Sequence, residues 1–297
     1  MPDPQQLDRF THGTGFVAAL DQSGGSTPKA LAAYGIDENT YSTDEEMFDL
    51  IHQARSRIIT SPAFTSDRII AAILFEGTLE RQVNGTDTVD YLWNTCGIVP
   101  ILKIDKGLQP EVDGVQLMKD IPGLDDTLSR ARAQGVFGTK ERSVIHSANP
   151  EGIAAIVGQQ FALADQILAA GLVPILEPEI SIDTPDKEEA EKILKAEILT
   201  GLEARQGENQ QVAVKVTIPS QAGFYSDLID HPGVARVLAL SGGYGRDEAN
   251  RLLSQNPGLI ASFSRALLDG LTAGQSDIAL TETLDSTIEG IYRASTT

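Results

Sequence analysis

The sequence predicts an alternating α/β protein, a single-domain (β/α)8 TIM barrel. Three observations carry the prediction: eight short apolar runs, helical apolar periodicity between most of them, and no composition break or low-complexity linker in 297 residues. Strand followed by helix, repeated, implies a parallel sheet. Eight repeats favour closure, because such a barrel takes about 250 residues and leaves room for an N-terminal lead-in and a longer excursion between the first two runs. Residues 1–297 therefore read as one barrel domain. The second choice is an open doubly wound sheet. That fold usually carries a Gly-rich phosphate turn after its first strand, and "DQSGGS" lacks the GxGxxG spacing.

In chain order the runs are "FVAALD" from Phe16, "IIAAILFEG" from Ile69, "IVPILKID" from Ile98, "VFGTKERSV" from Val136, "LVPILEPEI" from Leu172, "QVAVKVTIP" from Gln211, "VARVLALSGG" from Val234 and "LIASFSRAL" from Leu259. Between them, "GIAAIVGQQFALADQILAAG" and "DKEEAEKILKAEILTGLEAR" have helical periodicity. Asp183, Thr184 and Pro185 supply a cap and first turn for the second, and Thr27 with Pro28 does the same for "STPKALAAYG".

Composition narrows the function. With 23 Lys and Arg against 42 Asp and Glu, the formal charge of −19 repels nucleic acid and anionic lipid, so neither is expected as a partner. No uninterrupted apolar stretch of about 18 residues suggests a membrane span. A single cysteine, Cys96, read as a buried spacer, excludes an internal disulfide framework, and "MPDPQQLDRF" is unlike a secretory signal, so a cytoplasmic location is expected.

Charged residues close the apolar runs. Asp21, Lys103 with Asp105, Lys140 with Arg142, Glu177 with Glu179, Lys215 and Arg265 stand late in their runs, and each pair is spaced by two, so both members share a face. The steps Lys103 to Lys140, Lys140 to Glu177 and Glu177 to Lys215 are 37, 37 and 38 residues, one strand-plus-helix unit each. The charges thus recur at one height, at the end of a barrel where catalytic groups sit. One such residue could simply reach solvent at the rim. An ensemble is costly to desolvate unless its members pair or serve chemistry. After the seventh run, "LSGGYGRDEANRLL" leads into a helix, and the eighth ends in "SFSRAL". Ser241, Gly242, Gly243, Ser264 and Arg265 are accordingly phosphate-binding candidates.

Lys215 lies between Val214 and Val216. Burial and neighbouring cations favour a neutral, nucleophilic amine, so the residues point to Schiff-base chemistry on a phosphorylated carbonyl substrate. The motifs "GFVAALDQSGGSTPKAL", "GIVPILKIDKGL", "FGTKERS", "LVPILEPEI", "VAVKVTIP", "LSGGY" and "SFSRAL" resemble, in this order, the class I fructose-1,6-bisphosphate aldolases, particularly their short bacterial form. The resemblance implies that Lys215 is the Schiff-base lysine, Glu177 the acid/base group and Asp21 the carboxylate steering the substrate hydroxyls. It also implies that Lys140 assists the nucleophile and that Glu179 supports the site. Ser241, Gly242 and Arg265 would hold the phosphate on C1, and Ser23, Ser26, Lys103 and Arg142 would line the path to the phosphate on C6. The implied ligand is a small sugar bisphosphate, with no cofactor and no metal; a homo-oligomer is compatible with the sequence. Gln22 departs from animal members, which have an acidic residue there, and Tyr292 reads as part of an apolar face with Ile288 and Ile291.

Three rivals are weaker. A metal-dependent aldolase needs histidines at ligand spacing, and His12, His52, His146 and His231 are scattered. Another lysine aldolase, for instance on sedoheptulose bisphosphate, would keep Lys215. A non-catalytic phosphate-binding barrel would not need Lys215, Glu177 and Asp21 together.

Overall fold

The computed structural model describes residues 2–23, 27–205 and 211–297. Eight parallel strands follow the predicted runs: β1 (Phe16–Leu20), β2 (Ile69–Phe75), β3 (Val99–Lys103), β4 (Gly138–Ile145), β5 (Val173–Ile180), β6 (Val212–Thr217), β7 (Val234–Leu240) and β8 (Ile260–Ala261). They are hydrogen-bonded in chain order, and Val115–Gln116 adds a short antiparallel strand on β4. Between β8 and β1 the seam is bridged by Ala19 N–H donating to the Phe263 carbonyl at 3.3 Å. The result is a nearly closed barrel in a single domain.

The helices are α1 (Pro4–His12), α2 (Thr27–Ala33), α3 (Asp44–Ile59), α4 (Leu124–Ala133), α5 (Pro150–Ala169), α6 (Lys187–Glu203), α7 (Arg246–Leu253) and α8 (Asp277–Ser295), with short turns between. Local chemistry fixes their starts. Thr43 and Glu46 form a reciprocal capping box on α3, and Asn149 caps α5 by accepting from Gly152 N–H at 3.0 Å. Two expected starts shift. Thr27 is already the first residue of α2, and α6 begins at Lys187 rather than after Asp183 and Thr184. Asp186 stands at its cap, but the Asp186 carboxylate accepts from Ala148 N–H at 3.0 Å, so a contact between loops overrides the local capping pattern. By length and composition α5 could cross a membrane, yet it packs against β4, β5 and α6 as a barrel helix. Cys96 is half-buried against the core rather than fully buried.

The pleat sorts each strand into two faces. Ala18, Leu20, Ala72, Leu74, Leu102, Leu176, Val214 and Val216 pack outward against the helices. Val17, Ala19, Ala71, Ile73, Val99, Ile101, Val173, Ile175 and Ala213 fill the barrel interior. Continuing that inner face by steps of two leads from Val99 and Ile101 to Lys103, from Val173 and Ile175 to Glu177, and from Ala213 to Lys215. The interior thus has an apolar floor and a charged top layer. The lead-in closes the opposite end. Phe10 of α1 meets Phe137 with ring centroids 5.1 Å apart, and Arg236 of β7 donates to the carbonyls of Phe10, Thr11 and Gly13.

Candidate active site

Strand register sets the charged layer. Lys103 lies opposite Lys140 across β3 and β4, and Leu176 opposite Val214 across β5 and β6, so Glu177 and Lys215 follow side by side. Lys215 Nζ is 2.9 Å from Glu177 Oε1, and Lys140 Nζ is 2.8 Å from Glu177 Oε2 and 2.6 Å from Asp21 Oδ2. Lys103 Nζ pairs with Asp105 Oδ1 at 2.7 Å, and Asp105 Oδ2 stands 3.9 Å from Lys140 Nζ. Three ammonium groups therefore meet three carboxylates. Lys140, Glu177 and Lys215 are 2–3% exposed and Asp21 is 7% exposed, so these charges are almost wholly removed from solvent.

Burial opposes every charge in this layer, and pairing overrides it. Desolvation would push the Asp21 carboxyl up, but Lys140, Lys215 and Lys103 hold it well below the usual carboxylate range. Glu177 follows the same logic: burial raises it, Lys140 and Lys215 outweigh that, and its pKa ends lower than normal despite repulsion from Asp21. For Lys140, burial disfavours the ammonium, yet Asp21, Glu177 and Asp105 carry its pKa above the ordinary lysine value. Lys140 and Glu177 are thus both ionised at neutral pH. Lys140 and Lys215 share the barrel centre, as the sequence suggests, and both reach Glu177, one on each carboxylate oxygen. The Lys140 contact is close but misaligned for a hydrogen bond, so Glu177 Oε2 has no hydrogen-bond partner among the described residues.

Glu179 and Arg142 stand one step further out. Arg142 Nε bonds Glu179 Oε2 at 2.5 Å, and although burial opposes its charge, Glu179 holds the guanidinium firmly protonated. Arg142 N–H also donates to Asp105 Oδ2 at 3.3 Å, fastening β4 to the segment after β3. Glu179 pairs with Arg142 and with no lysine among the described residues.

The glycine turn after β7 has the conformations that its residues permit. Gly242 has φ +63° and Gly243 φ +124°, and a Cβ on Gly243 would lie 3.5 Å from the Arg265 guanidinium. The turn and Arg265 are therefore neighbours, with Ser241 buried at the end of β7. Arg265 is exposed and forms no ion pair among the described residues, leaving positive charge beside backbone amides. Ser264 accepts a hydrogen bond from Gln22 Nε2, joining this loop to the segment after β1, where Ser23 is half-buried. Ser26 lies outside the described residues.

Each histidine has a partner outside the charged layer: His12 pairs with Asp8, His52 with the Gln82 carbonyl, His146 with Gln116, and His231 Nδ1 accepts from Gly233 N–H. Tyr292 packs partly buried against the core from α8. Two further residues at the charged layer and beside it have no role that sequence alone assigns. Asp105, the counter-ion of Lys103, was visible through its two-residue spacing. Arg55 of α3, buried beside the segment after β1, gave a fainter sign: it stands four residues after Ile51 and three before Ile58, on the apolar stripe.

Residues 8–210 match the family described as "Glycolytic: Fructose-bisphosphate aldolase class-I". The chain is 57% identical over 296 residues to "Fructose-bisphosphate aldolase class 1" of Synechocystis, covering 100% of this chain and 98% of that protein. It is 54% identical over 291 residues to the protein of the same name from Porphyromonas gingivalis, covering 98% of each. Among solved structures, a fructose-bisphosphate aldolase from Plasmodium falciparum, crystallised with TRAP and an inhibitor, superposes with a TM-score of 0.79 over 98% of this chain and 94% of that one, at 20% identity. That likeness supports the barrel fold.

Proposed function

We propose that this chain, which belongs to the fructose-bisphosphate aldolase class-I family, reversibly cleaves fructose 1,6-bisphosphate to dihydroxyacetone phosphate and glyceraldehyde 3-phosphate through a Schiff base on Lys215. The observation that carries the reading is the contiguous chain Lys215, Glu177, Lys140 and Asp21 in one buried layer, beside a glycine turn with an unpaired arginine.

The geometry supports a proton route. Ionised Glu177, 2.9 Å from Lys215, takes a proton from the lysine, and the freed amine adds to the C2 carbonyl. The carbinolamine hydroxyl then leaves as water with the proton that Glu177 holds, which produces the iminium and restores the carboxylate. Restored, Glu177 accepts the proton of the C4 hydroxyl as the C3–C4 bond breaks; the bonding electrons pass into the iminium, the aldehyde departs and an enamine remains. Its protonation at C3 and hydrolysis release dihydroxyacetone phosphate and regenerate Lys215. Lys140 stays charged throughout and offsets Asp21 and Glu177, while Asp21 orients the substrate hydroxyls and faces the developing iminium.

Ser241, Gly242, Gly243, Ser264 and Arg265 would hold the phosphate on C1; Ser23, Lys103 and Arg142, and by the family resemblance Ser26, would bind the phosphate on C6, with Glu179 aiming Arg142. Fixing both ends brings the carbonyl to the amine, which is orientation catalysis. The reading carries with it a place in glycolysis or gluconeogenesis and a cytoplasmic location, with neither metal nor cofactor.

Borohydride reduction in the presence of dihydroxyacetone phosphate, followed by peptide mass spectrometry, tests it. An adduct on Lys215 that persists with chelator is expected, with faster cleavage of the six-carbon than the seven-carbon bisphosphate. Folded protein that cleaves substrate without any such adduct would sink the Schiff-base reading.

A further inference from the structure

Helix α3 carries one cation where its neighbours are apolar. Arg55 is 3% exposed and shares the buried stripe of α3 with Met47, Ile51, Ala54, Ile58 and Ile59. Burying a guanidinium is costly unless partners compensate, and here no carboxylate lies within ion-pair distance among the described residues. Its partners are neutral: Nη1 donates to Thr78 Oγ1 at 2.8 Å, and Nη2 donates to the Gln22 carbonyl. Burial lowers its pKa to about 10, and the field of Asp21 partly offsets that loss. Thr78 is fixed in turn, since its carbonyl accepts from Thr88 Oγ1 at 2.9 Å.

The residue it grips is placed between functional groups. Gln22 stands between Asp21 and Ser23, and its side-chain amide donates to Ser264 Oγ beside Arg265. One residue is thus held from two sides, its carbonyl by α3 and its amide by the loop after β8. We infer that Arg55 is a positioning residue: through the Gln22 carbonyl it holds the segment after β1 so that Asp21 faces Lys140 while the Gln22 side chain ties that segment to Ser264. A packing role alone would be met by methionine, without burying a charge.

This inference rests on the Schiff-base reading, and the test separates the two. In full-length protein, reactive sites are counted by borohydride trapping with dihydroxyacetone phosphate, and kcat and KM for fructose 1,6-bisphosphate cleavage are expressed per trapped site. Arg55→Met is expected to lower kcat per site by about 10–100-fold, with KM changing less and trapping stoichiometry retained. Arg55→Lys should recover part of that loss, and Gln22→Ala, which removes only the tie to Ser264, should cost about 3–10-fold. A parent that does not trap overturns the Schiff-base reading and this inference with it. A parent that traps, with Arg55→Met within about twofold of it per site, overturns this inference alone. So does activity that falls only in step with trapped sites. Should Arg55→Met fail to fold, unchanged kcat per site in Gln22→Ala overturns it equally.

Discussion

Both ends of the barrel take cations out of water, wholly at one end and in part at the other, and they satisfy them in opposite ways. At the closed end, Arg236 spends its donors on three carbonyls around the C-terminus of α1, a region that is partly negative by the helix dipole. No proton can be exchanged there, because every acceptor is a backbone oxygen. At the open end, Lys215 and Lys140 share the two oxygens of Glu177, and Lys140 also leans on Asp21. Each of those acceptors can carry a proton. Burial of a cation therefore identifies a reactive centre only when its partners titrate.

Breaking the open end should cost chemistry before stability. Lys215→Met is expected to lower kcat by at least about 10⁴-fold, because no other lysine bridges to Glu177 from β6. Steady-state cleavage assays on protein with native circular dichroism check it; activity within about tenfold of the parent would remove Lys215 from the chemistry. Glu177→Gln keeps the shape but removes the charge and the proton carrier between two ammonium groups. A loss of about 10²–10³-fold in kcat is expected, with slower trapping of dihydroxyacetone phosphate at Lys215. Unchanged trapping kinetics would assign dehydration of the carbinolamine to another group.

Breaking the closed end should do the reverse. Arg236→Met leaves the α1 carbonyls without their donor and should cost about 2–4 kcal/mol of stability. Denaturant melts read that loss, while kcat per folded molecule should stay within about threefold of the parent. A variant equally stable but inactive would mean that the two ends are coupled.

The contrast also explains what was legible in sequence. The strands were, because apolar alternation ends in charge at 37- or 38-residue steps, and the register that puts Lys103 beside Lys140 follows from those steps. Glu177 between Lys140 and Lys215 was not, because sequence gives the height of a side chain but not which of three neighbours it bonds. Arg236 interrupts "VARVLAL" as Lys215 interrupts "VAVKVT", but early in its run rather than late, which sends it to the opposite end; only the position of α1 says that its partners are carbonyls. Arg55 was harder still. It and Arg57 are two residues apart on α3, and only tertiary packing sends Arg57 to Asp277 at the surface and Arg55 inward. The start of α6 is hidden from sequence for a similar reason, since Asp186 is used by Ala148.

A third buried charge site sharpens the comparison, and its expected effect is the smallest. Glu141 stands on the outer face of β4, behind Lys140, with 0% exposure. Thr139 Oγ1 donates to Oε2 at 3.2 Å, while Oε1 and the nearby Gln160 Oε1 both lack donors. Gln160 spends its amide on the Glu141 carbonyl and on Ser143 Oγ, fastening α5 to β4. Burial drives the Glu141 pKa well above its ordinary 4.5, with Asp105 and Glu177 adding to the rise and Thr139 and Lys140 opposing it. A carboxyl raised on folding contributes stability that is fully present below its unfolded pKa and lost as pH rises towards the folded one. Glu141→Gln removes that titration while keeping the shape. Its melting temperature relative to the parent should therefore climb steadily between pH 5 and pH 8, by about 2–4 °C for each kcal/mol recovered. A gap that narrows or reverses over the same range would mean that Glu141 is ionised and paired, like the carboxylates at the barrel mouth.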